Sequence, residues 1–172
     1  MDKLKHYILH FSGLGLGFHN YQYQISNDFF EAFDNSEIEQ ASIIVDLSLE
    51  KQERMLILDF EISGNINVMC DRCLDKFDYP LDISEQLIVK FGEAFDQENE
   101  EVIILPEHEH QLDLSSYLYD FIILSLPIRI VHPEDENGSS NCNPEIIEKI
   151  QKLSEPEPDP RWGSLKDLIS DN

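Results

Sequence analysis

The sequence predicts an α+β fold: a long antiparallel β-meander, either an open sheet or a partly closed barrel, with one main helix packed on it. Much of the chain between residues 18 and 91 alternates apolar and polar residues, the period of two that half-buried strands require. One segment, 114–124, instead carries apolar residues at helical spacing. A Cys-x-x-Cys motif, Cys70 to Cys73, lies between two strand-like runs and predicts a knuckle at a hairpin tip.

The strands are predicted from runs of β-branched, aromatic and aliphatic residues separated by polar turns. In chain order the predicted strands cover residues 7–11, 18–25, 43–49, 54–69, 82–91, 102–105 and 128–131. The run Gly13-Leu14-Gly15-Leu16-Gly17 does not have the G-x-G-x-x-G spacing of a dinucleotide-binding loop, and no long amphipathic helix follows it directly. These glycines therefore predict a turn or bulge between two strands.

Three helices are predicted. A short one after Ser26 or Asn27 carries Phe29, Phe30 and Phe33 at helical spacing. The main helix runs from Leu114 to about Leu124, with Asp113 as its cap and Pro127 as its stop. A third covers residues 143–153 with a proline in its first turn.

The chain divides at a proline-rich stretch. Residues 1–153 are predicted to form a single α+β domain that includes the knuckle, and residues 154–160, Ser-Glu-Pro-Glu-Pro-Asp-Pro, form a stiff linker. Residues 161–172 form a short amphipathic segment with Trp162, Leu165 and Leu168 on one side. Such a short helix is unstable alone, so it either docks on its own domain or binds in a partner's groove.

Charge restricts the class of partner. The chain has 35 Asp and Glu against 12 Lys and Arg, a formal net charge of -23. Non-specific binding to nucleic acid is therefore unfavourable, and a basic protein is the favoured partner, although acidic runs can also serve solubility alone. No apolar run reaches the ~20 residues of a membrane span, and no signal peptide is recognisable. We expect a cytoplasmic monomer with no membrane association.

The two cysteines of the knuckle supply half of a tetrahedral metal site. The other half is predicted from His132 and Cys142, so that Cys70, Cys73, His132 and Cys142 form a Cys3His set for structural zinc. A redox motif would place its first cysteine at the start of a helix, whereas a returning strand is expected here. Inert thiols remain an alternative, and the odd number of cysteines argues against a disulfide framework.

No catalytic constellation accompanies these residues. Gly-x-Ser-x-Gly, His-Glu-x-x-His and Walker sequences are all missing from the chain. A metal held by four protein ligands has no open position for substrate. The sequence therefore predicts a protein that is not an enzyme, and the alternative is a zinc- or thiol-dependent enzyme that uses Cys70 and Cys73.

Several short motifs occur in a characteristic order. They are Cys70-Asp71-Arg72-Cys73-Leu74, Leu112-Asp113-Leu114, Leu124-Ser125-Leu126-Pro127, Val131-His132-Pro133, Cys142, Asp159-Pro160-Arg161-Trp162 and Leu165-Lys166. This ordered set resembles the YceD family, the large ribosomal RNA subunit accumulation proteins of bacteria, which have relatives in plastids. The family helix usually carries a glutamate where this chain has Asp120, a shortening that keeps the charge.

The resemblance implies a role in accumulation or processing of large-subunit ribosomal RNA, and it implies no known enzymatic activity. The expected partner is a basic ribosomal protein or a large-subunit assembly intermediate. The family's pairing of Cys-x-x-Cys with a later His and Cys also favours zinc. Direct RNA binding is the alternative, through Arg54, Arg72, Arg129 and Arg161. The candidate partner-binding residues are Arg72 at the knuckle tip together with Trp162, Leu165 and Leu168.

Overall fold

The computed structural model describes residues 3–34, 36–92, 96–99 (backbone only), 102–134 and 138–154. After a 3-10 turn at Lys5–Tyr7, the strands are β1 (Ile8–His10), β2 (Gly17–Ser26), β3 (Gln40–Lys51), β4 (Met55–Met69), β5 (Lys76–Gly92), β6 (Asp96–Asn99), β7 (Val102–Pro106) and β8 (Gln111–Asp113). The helices are α1 (Asn27–Phe30), α2 (Ser115–Ser125) and α3 (Pro144–Ser154).

Six of these strands form one open sheet in the order β2-β3-β4-β5-β7-β6. The pairs from β2 to β5 are antiparallel, and β7 then pairs with β5 in parallel. Strands β1 and β8 form a separate antiparallel pair. The predicted α+β meander with a helix packed on it is confirmed, and the sheet is open rather than a closed barrel.

Alternation along the strands separates the two faces of the sheet. In β4, Leu58, Phe60 and Ile62 are buried, whereas Asp59 and Glu61 between them are exposed. Helix α2 packs on the buried face, where the rings of Phe60 and Phe121 lie 5.5 Å apart. One apolar core therefore joins the sheet to α2, and the other face of the sheet is polar.

Strand β5 begins earlier than predicted. The sequence predicts residues 82–91, but the strand starts at Lys76 and contains Pro80, which pairs in register with Asn65. Among the strands that the structure describes, β4 is the only neighbour of β5 at this point, because β7 pairs with residues 88–92. A proline is tolerated where one side of a strand is not paired, since no ladder hydrogen bond is lost.

The predicted strand at 128–131 is wrong. These residues adopt irregular backbone between Pro127 and Pro133, and the side chain of Ile128 is fully exposed. A short apolar run becomes a strand only if a neighbouring strand pairs with it, and none of the described strands does so. His132 must therefore be positioned in another way.

The chain divides into two compact units. The sheet unit comprises Met1–Met69 and Lys76–Ile130, and the knuckle unit comprises Cys70–Asp75 and Val131–Asn172. The predicted linker and the predicted partner-binding residues Trp162, Leu165 and Leu168 lie outside the described residues. None of the helices in the described part of the chain is long and apolar enough to cross a membrane.

Candidate metal centre

The first half of the site is the turn between β4 and β5. The backbone N–H of Cys70 donates to the carbonyl of Asp75 at 3.0 Å, and that of Leu74 donates to the carbonyl of Cys70 at 2.9 Å. Leu74 has a φ of 63°, which lies in the left-handed region. This conformation closes the turn, although residues other than glycine rarely adopt it. These bonds fold the four-residue motif back on itself and bring both sulfurs to one side.

The second half is a loop closed by a β-bridge between Glu134 and Ser140. In an antiparallel ladder, residues equally far from a bridged pair on either side lie opposite each other. His132 precedes the bridge by two residues and Cys142 follows it by two, so the bridge brings their side chains together. Gly138, with a φ of 76°, supplies a left-handed turn residue within the loop.

The four side chains converge on one point. Their candidate ligand atoms all lie within 4.8 Å of one another. The Sγ atoms of Cys70 and Cys142 are 3.7 Å apart, and Nδ1 of His132 lies 3.4 Å from Sγ of Cys73 and 3.7 Å from Sγ of Cys142. In a tetrahedral site with metal–sulfur bonds of ~2.3 Å and metal–nitrogen bonds of ~2.0 Å, such edges measure about 3.5–3.8 Å.

The donor atoms are protected and chemically suited to a metal. Cys70, Cys73 and Cys142 are buried, and His132 is partly buried. Burial raises the pKa of the Cys70 thiol, but hydrogen bonds from the backbones of Cys73, Arg72 and His132 outweigh it and lower the pKa to about 6. Burial raises the pKa of Cys142, opposed by a hydrogen bond with the Ser140 side chain. Cys70 thus favours the thiolate form that binds metals.

The geometry does not match the alternatives for the cysteines. After Cys73 the chain passes through a turn into β5, so the motif does not open a helix as a thiol-redox motif does. Cys70, Cys73 and Cys142 are free cysteines, and the Sγ atoms of Cys70 and Cys142 lie 3.7 Å apart, compared with a disulfide bond length of about 2.05 Å. The residues present therefore fit a tetrahedral metal ion.

Ser140 is a member of this neighbourhood that the sequence does not predict. Its Oγ accepts hydrogen bonds from Nη1 of Arg72 at 2.9 Å and from the backbone N–H of Cys142 at 3.2 Å. Serine side chains often form hydrogen bonds with nearby backbone groups wherever they occur. A serine two residues before a cysteine is therefore only a weak signal for such a bond. The structure also places the predicted partner-binding residue Arg72 at this contact.

Lys51 holds the backbone of the glycine-rich loop in place. The ammonium group of Lys51 donates to the carbonyls of Phe11 at 2.9 Å and Leu14 at 2.8 Å. These hydrogen bonds to backbone carbonyls stabilise the conformation of the loop and use donors of the Lys51 ammonium group. The loop joins β1 to β2, in agreement with the predicted turn.

An open sheet with a packed helix and a Cys3His cluster defines the class: an acidic α+β protein with a candidate structural metal centre. The profile of the family described as "Large ribosomal RNA subunit accumulation protein YceD" matches residues 58–169, a range that contains all four cluster residues. The chain belongs to this family. The protein YlbN of Bacillus subtilis (strain 168) is 28% identical over 141 residues, covering 78% of this chain and 79% of that protein. No solved structure matches the chain.

Proposed function

We propose that this protein is a non-enzymatic factor in biogenesis of the large ribosomal subunit, which supports accumulation or processing of large-subunit ribosomal RNA by binding a basic ribosomal protein or an assembling particle. The observation that carries this proposal is membership of the family, whose name refers to large-subunit ribosomal RNA. The matched range, residues 58–169, includes both halves of the candidate metal centre.

Zinc is the metal we assign to the Cys3His cluster. Three thiolates and an imidazole are soft and borderline donors, and a tetrahedral arrangement of them is typical of structural zinc. Among the described residues of the knuckle unit, the only buried side chains are Cys70, Cys73 and Cys142. Apolar burial contributes little to these described residues, and a structural metal would supply stability to them.

A structural rather than catalytic role follows from the number of donors. When bound, the ion supplies a cross-link between the turn that carries Cys70 and Cys73 and the loop that carries His132 and Cys142. Four protein ligands complete the tetrahedral shell, so no position is open to a substrate or an activated water. The cluster therefore supports a binding factor better than it supports an enzyme.

The polar face of the sheet supports a basic partner. Asp46, Asp59 and Glu61 are exposed on neighbouring strands. Their carboxylates accept hydrogen bonds from neutral side chains, those of Gln22, Gln86 and Ser84 respectively. Neutral partners leave the negative charge in place, and a charged face of this kind accelerates association with a protein of opposite charge.

The first test is sedimentation of the tagged protein from cell lysate through a density gradient at low and at high salt. We expect it to migrate with large-subunit precursors or with a small basic protein, and crosslinking then identifies the neighbour. Migration alone at the top of both gradients would contradict the proposal. Tight binding of purified protein to large-subunit RNA at physiological salt, with no protein present, would favour direct RNA binding instead.

A second test locates the charge that matters. Asp59→Asn with Glu61→Gln removes two charges from the sheet face and keeps the shape of both side chains. Glu145→Gln with Glu148→Gln removes the same number from exposed positions on α3. We expect the first pair to slow association with the partner several-fold and the second pair to have little effect, as measured by stopped-flow at low salt. Equal effects would mean that net charge alone attracts the partner.

A further inference from the structure

Arg72 bonds to the opposite half of the cluster. It lies between Cys70 and Cys73 in sequence, and its backbone N–H donates to Sγ of Cys70 at 3.4 Å. Its guanidinium extends to the loop that carries His132 and Cys142, where Nη1 donates to Oγ of Ser140 at 2.9 Å. One residue thus contacts a ligand of the turn with its backbone and the loop with its side chain.

Ser140 completes the connection. Its Oγ also accepts the backbone N–H of Cys142 at 3.2 Å, so one hydroxyl oxygen holds both the arginine and a ligand residue. Both lone pairs of that oxygen are used. Ser140 is in addition paired with Glu134 in the bridge that closes the loop, which fixes the position of its own backbone. The path from the turn to the loop therefore consists of two hydrogen bonds that meet on a single atom.

Charge gives this contact a second consequence. Three thiolates, one neutral imidazole and a divalent ion together carry a single net negative charge. The formal charge of the chain is already -23, so an additional buried negative charge is unfavourable. The guanidinium of Arg72 supplies the opposite charge beside the loaded site, and its planar fork holds a fixed direction better than a lysine ammonium does.

We propose that Arg72 and Ser140 are positioning residues of the metal site: the hydrogen bond between them holds the His132–Cys142 loop against the Cys70–Cys73 turn and raises the affinity for the metal. This inference rests on the proposed metal binding. Outer residues that orient the ligands of a metal typically contribute about 10–100-fold to its affinity. The role differs from partner binding, because it acts on the metal when no other molecule is present.

The test is a competition between the full-length protein and a chromophoric zinc chelator. Arg72→Ala and Ser140→Ala are each expected to weaken zinc binding by about 10–100-fold. The double variant is expected to bind zinc as tightly as whichever single variant binds it less tightly, because both substitutions remove the same contact. Arg72→Lys keeps the positive charge but lacks the planar guanidinium, and its zinc affinity is expected to lie between those of Arg72→Ala and the wild type.

Controls separate this role from general damage. Arg54→Ala and Ser63→Ala remove the same residue types from exposed positions in the sheet unit, and wild-type affinity is expected for both. Cobalt in place of zinc gives an absorption spectrum, which is expected to remain tetrahedral in every variant. Far-UV circular dichroism checks that the sheet is intact.

Two outcomes would overturn the inference while the metal site stands. Affinities of Arg72→Ala and Ser140→Ala within twofold of the wild type would show that the contact does not position the ligands. Fully additive losses would show that the two residues act separately. If the wild-type protein itself binds no zinc, the proposed metal site fails, and the wild-type titration alone reveals that failure.

Discussion

The sheet unit and the knuckle unit are stabilised in different ways. The sheet unit encloses a continuous apolar core that includes fully buried side chains such as Phe30, Phe60 and Leu118. In the described part of the knuckle unit the buried side chains are three cysteines, and helix α3 buries none of its residues. Burial of apolar surface stabilises the first unit, whereas we propose that a metal held by the cysteines stabilises the second.

This difference predicts separate responses to perturbation. Loss of the metal should affect the knuckle unit and spare the sheet, and damage to the sheet should leave the chemistry of the cysteines unchanged.

Metal removal is expected to unfold the knuckle unit alone. Structural zinc contributes on the order of 10 kcal/mol to the folding of small metal-dependent modules. A strong chelator, or Cys142→Ser, should therefore expose the backbone of residues 138–154 to hydrogen exchange while β3, β4 and β5 stay protected. Mass spectrometry of exchanged peptides measures both regions in one experiment. Continued protection of 138–154 without metal, or parallel loss of protection in the sheet, would contradict the comparison.

The opposite perturbation is Gly64→Ala in β4. Gly64 has a φ of 149°, and a Cβ there would lie 2.2 Å from the backbone oxygen of Ser42. We expect a loss of about 3 kcal/mol in the free energy of unfolding from steric overlap and backbone strain, measured by denaturant titration. The folded fraction should still bind one metal ion per chain.

Gly13→Ala is the matched control, since a Cβ at Gly13 would meet nothing within 4 Å. It should change stability by less than about 0.5 kcal/mol. If Gly64→Ala also abolished metal binding by the folded protein, the two units would not be independent.

The smallest expected effect is at Leu74, which has a φ of 63° and an exposed side chain. Leu74→Gly relieves a backbone cost of roughly 1–2 kcal/mol, opposed by a loss of up to about 1 kcal/mol in chain entropy, so metal affinity should equal or slightly exceed that of the wild type. Leu74→Val places a β-branched residue at the same φ and should weaken binding several-fold. Chelator competition measures both variants, and an affinity of Leu74→Val equal to that of the wild type would show that the turn conformation is unimportant.

The sheet could be predicted where local pattern decides structure. The alternation around Asp59 and Glu61 gives both the strand and its buried face, because side-chain direction in a strand has a period of two. The parallel pairing of β7 with β5 could not be predicted, since it depends on contacts between segments separated in the chain. The start of β5 was predicted too late in the chain because of Pro80. Whether a strand can contain a proline depends on which neighbouring strands pair with it, and the sequence does not show these neighbours.

The sequence predicts which residues form the candidate site but not the contacts that bring them together. Cysteine and histidine are few enough that Cys70, Cys73, His132 and Cys142 could be combined from spacing and chemistry. The sequence predicts a strand at 128–131, immediately before His132, whereas a single bridge between Glu134 and Ser140 brings His132 opposite Cys142. An isolated bridge has no periodic pattern, so neither it nor the bond from Arg72 to Ser140 could be predicted.

Zinc binding by the Cys3His cluster is tested most directly by the intact mass of the protein, purified without added metal and measured under native conditions. We expect a mass increase of one zinc ion per chain, retained on buffer exchange and absent in Cys73→Ser. A metal-free chain with three free thiols, or a chain in which two cysteines have formed a disulfide, would contradict it.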